Sequence, residues 1–150
     1  MKPGSFIVLA CFWPLAAIAS EIGCLKVSAS AVRIEGRPKL HLEFANACGM
    51  DVRLLDGLLP WKMLGVRLAA TTAGSEAALE RLGGVRGGNG PTIEIKSDQV
   101  LSGDLSMSSE FDGFDAANSK DDIVVVWSYE MPEPMGGDTR SGTVVFPKSP

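Results

Sequence analysis

Apolar and polar positions alternate along most of the chain beyond residue 24, with few stretches at helical spacing. Residues 38–46 show it most cleanly: Leu40, Leu42 and Phe44 share one face, and Lys39, His41 and Glu43 the other. That period of two marks a half-buried strand. Residues 25–34 precede it, rich in Val, Ala and Ser, and Glu35-Gly36-Arg37 between them reads as a turn with Gly36 free to take positive φ. The two segments form an expected hairpin. Its phase is imperfect, because Leu25 and Val27 fall on one face while Val32 and Ile34 fall on the other. A β-bulge between Ser28 and Ala31 would repair it.

Further strands are expected at residues 52–55, 66–70, 92–96, 100–107, 123–129 and 143–146. Residues 123–129 give the strongest signal. Ile123, Val125, Trp127 and Tyr129 lie on one face and Val124 and Val126 on the other, as in a central strand. Residues 75–83 carry a capping serine, an acidic first turn and a terminal glycine, so they fit a two-turn helix or part of a long loop. Seven to eight short strands separated by turn signals, without repeated crossover helices, predict an all-β antiparallel sandwich.

The first residues behave differently. Lys2 is the only charge before Glu21, an apolar run covers residues 6–18, and Ala17 and Ala19 supply the small residues that a signal peptidase accepts. The expected organisation is a cleaved signal peptide at 1–19 and one β-sandwich domain at 20–150. The run holds Pro14 and is shorter than the ~20 helical residues that span a bilayer. A retained anchor, or a lipoprotein box at Val8-Leu9-Ala10-Cys11, are the alternatives. After cleavage the chain carries 13 basic and 18 acidic residues, a net charge near −5. No basic cluster is present, which argues against nucleic acid as a partner, and no later run has membrane length. Cys11 leaves with the leader. Cys24 and Cys48 each lie 12 residues from Gly36, so the hairpin brings them opposite each other. In an oxidising periplasmic or extracellular space they form a disulfide.

The segments Leu42-Glu43-Phe44-Ala45-Asn46, Val52-Arg53-Leu54-Leu55, Leu101-Ser102-Gly103-Asp104-Leu105 and Val125-Val126-Trp127-Ser128-Tyr129 occur in that order. In them the chain resembles the immunoglobulin-like sandwich domains of exported proteins, such as the BsuPI-type proteinase inhibitors and the propeptide-like domain of deuterolysins. The resemblance implies a fold and protein binding. It transfers no functional residue, and the cysteine pair is not part of it.

Candidate chemistry is sparse. His41 is the only histidine, and it alternates onto a charged strand face, so a base for nucleophilic catalysis has one candidate at most. One histidine and an oxidised cysteine pair do not make a zinc site. Met131 and Met135 flank Pro-Glu-Pro and could hold copper(I). Asp112, Asp115 and Asp121 crowd one acidic stretch and could hold calcium, although the spacing is not that of an EF-hand. Gly87-Gly88-Asn89-Gly90-Pro91-Thr92-Ile93 echoes a single calcium-binding β-roll repeat, with Thr92 where an aspartate would bind. Leu59, Pro60 and Trp61, if exposed, would make an apolar anchor for a protein. The expectation is an exported, non-enzymatic binding module with an unidentified protein partner and no cofactor. A metal-binding exported protein is the alternative.

Overall fold

The computed structural model describes residues 23–62, 65–82, 90–132 and 137–149. The expected leader at 1–19, most of the glycine-rich 83–90 segment, and Met135 lie outside them.

The β1 strand (Leu25–Ile34) and the β2 strand (Arg37–Asn46) pair antiparallel over their full length, from Leu25↔Asn46 to Ile34↔Arg37. Glu35 and Gly36 turn the chain with φ of 52° and 76°, which a glycine adopts without strain. The ladder is unbroken, so the bulge expected between Ser28 and Ala31 does not form. Instead the phase conflict resolves at the surface. Leu25 is buried, Val27, Ala29 and Ala31 pack against the core, and Ile34 is left 38% exposed on the opposite face. One exposed side chain costs less than a distortion of ten paired residues.

Cys24 and Cys48 are disulfide-bonded with Cα atoms 4.8 Å apart. The turn centres between Glu35 and Gly36, so Ala47 rather than Cys48 lies opposite Cys24, and the Ala47 amide donates to the Cys24 carbonyl at 3.1 Å. The bond closes the open end of the hairpin. Buried Asn46 secures the same corner. Its Nδ2 donates to the carbonyls of Met50, Ile95 and Lys96, and its Oδ1 accepts from the Cys48 amide.

Six more strands follow: β3 (Val52–Leu55), β4 (Arg67–Thr72), β5 (Thr92–Ile95), β6 (Val100–Ser106), β7 (Ile123–Glu130) and β8 (Thr139–Phe146). All pairings are antiparallel. One sheet has the order β1-β2-β6, a second β4-β7-β8, and a two-stranded ribbon joins β3 to β5. With β1, β2, β4, β6, β7 and β8 in the places of strands A, B, C, E, F and G, the two larger sheets are the A-B-E and C-F-G sheets of an immunoglobulin-like sandwich.

A single core lies between them. Leu40, Leu42, Phe44 and Leu105 come from one sheet, and Leu68, Ala70, Ile123, Val125, Trp127, Tyr129, Val144 and Phe146 from the other. Phe44 meets Tyr129 edge to face across the layers, with ring centroids 6.2 Å apart. The polar stretch after β6 is not a free loop. Its helical turns, α1 (Met107–Glu110) and α2 (Phe114–Asn118), put Phe111 and Phe114 into the core, and Phe114 packs on Phe146 at 5.4 Å. Residues 75–82 form no helix. A turn through Ser75 and Glu76 leads into a segment beside β4, with an isolated bridge from Ala78 to Thr71, and the Thr72 hydroxyl accepts from the Ala77 amide.

Candidate functional site

The expected anchor is tucked into the fold. Leu59 and Pro60 are buried, and Trp61 is half-buried with its indole laid over Gly103 on the inner face of β6. A Cβ on Gly103 would stand 2.3 Å from the Trp61 ring, so the glycine is the seat of the indole. The Tyr129 hydroxyl donates to the Leu58 carbonyl at 2.5 Å and fixes the same loop from beneath. This segment therefore closes one end of the sandwich, and Leu59 and Pro60 present no apolar surface to a partner.

The expected metal ligands stand apart. Met131 is buried in the core. The Asp115 carboxylate accepts from the Ser108 hydroxyl, and that of Asp121 from the amides of Gly74 and Asp122. Asp112 is engaged through its backbone amide, which donates to the Glu80 carbonyl. No group of three or more His, Cys, Asp or Glu residues is placed to hold a metal ion among the described residues.

His41 has a defined setting that the sequence did not reveal. Direct register across three strands sets Ser30, His41 and Asp104 in one row. Its Nδ1 lies 2.8 Å from Asp104 Oδ1, and its Nε2 3.9 Å from Glu43 Oε1. The row sits on the open outer face of the β1-β2-β6 sheet, and no hydrogen bond joins Ser30 to the ring among the described residues. The Asp104 carboxylate orients the imidazole.

Every row of this outer face bears an ionisable side chain. From one end to the other these are Lys26, Glu43, His41 with Asp104, Lys39, and Arg37. A second charge network crosses the β3-β5 ribbon. Arg53 bonds Glu94 at 2.9 Å, and Lys96 bonds Asp51 at 2.9 Å and also Glu94. Hydrogen bonds from Lys96 hold the carboxyls of Asp51 and Glu94 below the usual carboxylate range, and the Glu94 bond raises the Lys96 ammonium. These charges satisfy one another.

The outer face of the β4-β7-β8 sheet is different. Its first row is Thr71, Val124 and Val145, and its second is Ala69, Val126 and Thr143. Neither row holds a charge. Val126 and Val145 are each 49% exposed, and Thr143 and Ala69 are exposed beside them. Charge reappears only in the third row, where Arg67 stands next to Ser128 and Ser141 and meets Glu130 at 3.3 Å. A small groove of about 100 Å³ lined by Gly65, Arg67, Ser128, Glu130 and Thr139 borders that row. The apolar outer positions of β7 were legible in the sequence as the mark of a central strand. The strand is central, but its outer face has no covering layer among the described residues.

No helix among the described residues is long and apolar enough to cross a membrane. Compared with known protein families and with curated proteins, the chain matches no family model and no curated sequence.

Proposed function

We propose that this chain is an exported, non-enzymatic binding module that contacts a protein through the outer face of its β4-β7-β8 sheet. The observation that carries the reading is the contrast between the two outer faces. One has an ionisable side chain in every row, whereas the other offers two successive rows of Thr, Val and Ala. Water solvates the first at little cost. The second keeps aliphatic surface in water, and its burial against an uncharged aliphatic surface would return roughly 25 cal/mol per Å². The Arg67–Glu130 pair at its border suits a polar rim. The resemblance to inhibitor domains agrees with protein binding, and a version in which the partner is an exported protease is the narrowest form of the reading.

Export is supported by the apolar run ending at Ala17-Ile18-Ala19 and by the disulfide between Cys24 and Cys48. The mature chain then begins at Ser20.

The test is a paired substitution, Val126→Lys with Val145→Glu. Both positions face solvent, so the melting temperature should change little, while affinity for a co-purifying partner falls at least tenfold. Unchanged affinity in the folded double variant would refute the assignment of this face.

A further inference from the structure

His41 and Glu43 stand two residues apart on β2, so the period of two puts both on the outer face of the β1-β2-β6 sheet, with His41 half-buried and Glu43 exposed. Each is held by a neighbour across the ladder. Asp104 lies opposite His41 on β6, and its Oδ1 is 2.8 Å from Nδ1. Ser28 lies opposite Glu43 on β1, and its hydroxyl donates to Glu43 Oε2 at 3.2 Å. The other ring nitrogen and the other carboxylate oxygen then meet, Nε2 to Oε1, at 3.9 Å.

A carboxylate at Nδ1 favours the tautomer with its proton on that nitrogen, which leaves a lone pair on Nε2. In the neutral ring this lone pair meets a carboxylate oxygen, acceptor against acceptor, and a cation between them satisfies both. Imidazole and carboxylate bonds to a small divalent transition-metal ion run to about 2.0–2.2 Å each, so one ion spans the gap. A tighter angle at the ion needs a shift of roughly half an ångström in the exposed Glu43 side chain. Lys39 and Lys26, in the rows on either side, offset the charges of Glu43 and Asp104. The patch therefore has no excess negative charge to collect hard cations, and the imidazole nitrogen sets the preference.

We propose that His41 Nε2 and Glu43 Oε1 form a surface site for a divalent transition-metal ion, copper(II) above all, with water in the remaining positions. Asp104 and Ser28 act as positioning residues. Among divalent first-row ions copper(II) binds nitrogen and oxygen donors most tightly. Two protein donors fall short of the three that a closed centre uses, so the site is an open one from which the ion exchanges. It is distinct from Met131 and from the acidic stretch 108–122.

The experiment titrates copper(II) chloride into the disulfide-bonded domain. Calorimetry reads the affinity, and paramagnetic loss of amide NMR signals reads the place. One saturable site is expected, with signals lost first at Ser30, His41, Glu43 and Asp104. Glu43→Gln removes a donor and Asp104→Asn the orienting carboxylate; each should weaken binding about tenfold, and His41→Gln should abolish it. All three side chains reach solvent, and melting curves establish that the variants are folded. Unchanged affinity in Glu43→Gln or in Asp104→Asn would mean that the ion meets a lone imidazole, and would overturn the proposal. Binding that survives His41→Gln, or signal loss centred on residues 112–122, would overturn it too. Val126 and Val145 lie on the other sheet, so the outcome is independent of the proposed contact face.

Discussion

Two glycines in this domain are explained by the indoles above them. Gly103 seats Trp61, and Gly142, directly opposite Trp127 in the β7-β8 ladder, leaves room for that ring, which a Cβ would approach to 2.9 Å. Adding a methyl group at Gly103 forces Trp61 out of place, because the atoms it meets lie at the root of the indole rather than at a flexible tip. Gly103→Ala should destabilise the domain by about 1–3 kcal/mol, as overpacking does, and combination with Trp61→Leu should recover part of the loss. Urea melts of the three variants measure both effects, and full additivity would deny the contact. Tyr129, the only tyrosine, gives a second readout. Burial raises its phenol above the ordinary value near 10. Its folded value is the higher one, so its contribution to stability is complete below the unfolded value and is lost as pH climbs toward the folded one. Absorbance at 295 nm should therefore stay flat past pH 10 and rise only with unfolding. A reversible titration near 10 in the folded domain would contradict the burial. Neither the Gly103 seat nor the Asp104–His41 bond was legible in the sequence, since both join residues distant along the chain and neither leaves a periodic trace.

At the scale of elements, the β1-β2 hairpin shows what a period of two can carry. The alternation of Leu40, Leu42 and Phe44 fixed its inner face, and the symmetric cysteine spacing indicated the bond that closes it. Replacing both cysteines by serine should cost about 3 kcal/mol, the chain-entropy value for a loop of this size, with the ten-residue ladder retained. Chemical denaturation with hydrogen exchange on β1 and β2 measures this, and loss of the whole sheet would contradict it. No bulge forms because keeping ten pairs in register outweighs one exposed isoleucine. Residues 75–82 carried helix-end signals but lie beside β4, where bridge and backbone bonds to Thr71 and Ala70 replace helical ones. In the acidic stretch 108–122, Phe111 and Phe114 are the two side chains that seat it in the core, and the periodicity of so short a stretch does not announce them.

For the whole molecule, the two outer faces differ in charge: one bears an ionisable side chain in every row, and the other has two successive rows without one. The class of fold followed from strand count and turn spacing. The proposed contact face did not, because Val124 and Val126 look the same in sequence whether a layer covers them or a partner does. The Leu59-Pro60-Trp61 segment shows the converse, since an apolar loop reads alike whether it is a patch or a plug. Site-specific photo-crosslinking in the cells that make the protein tests the central claim most directly. A benzophenone side chain is placed in turn at Val126, at Val145 and, on the opposite face, at Lys39. The account predicts one discrete protein adduct from both valine positions and none from Lys39. Adducts from Lys39 alone, or equally from all three positions, would contradict it.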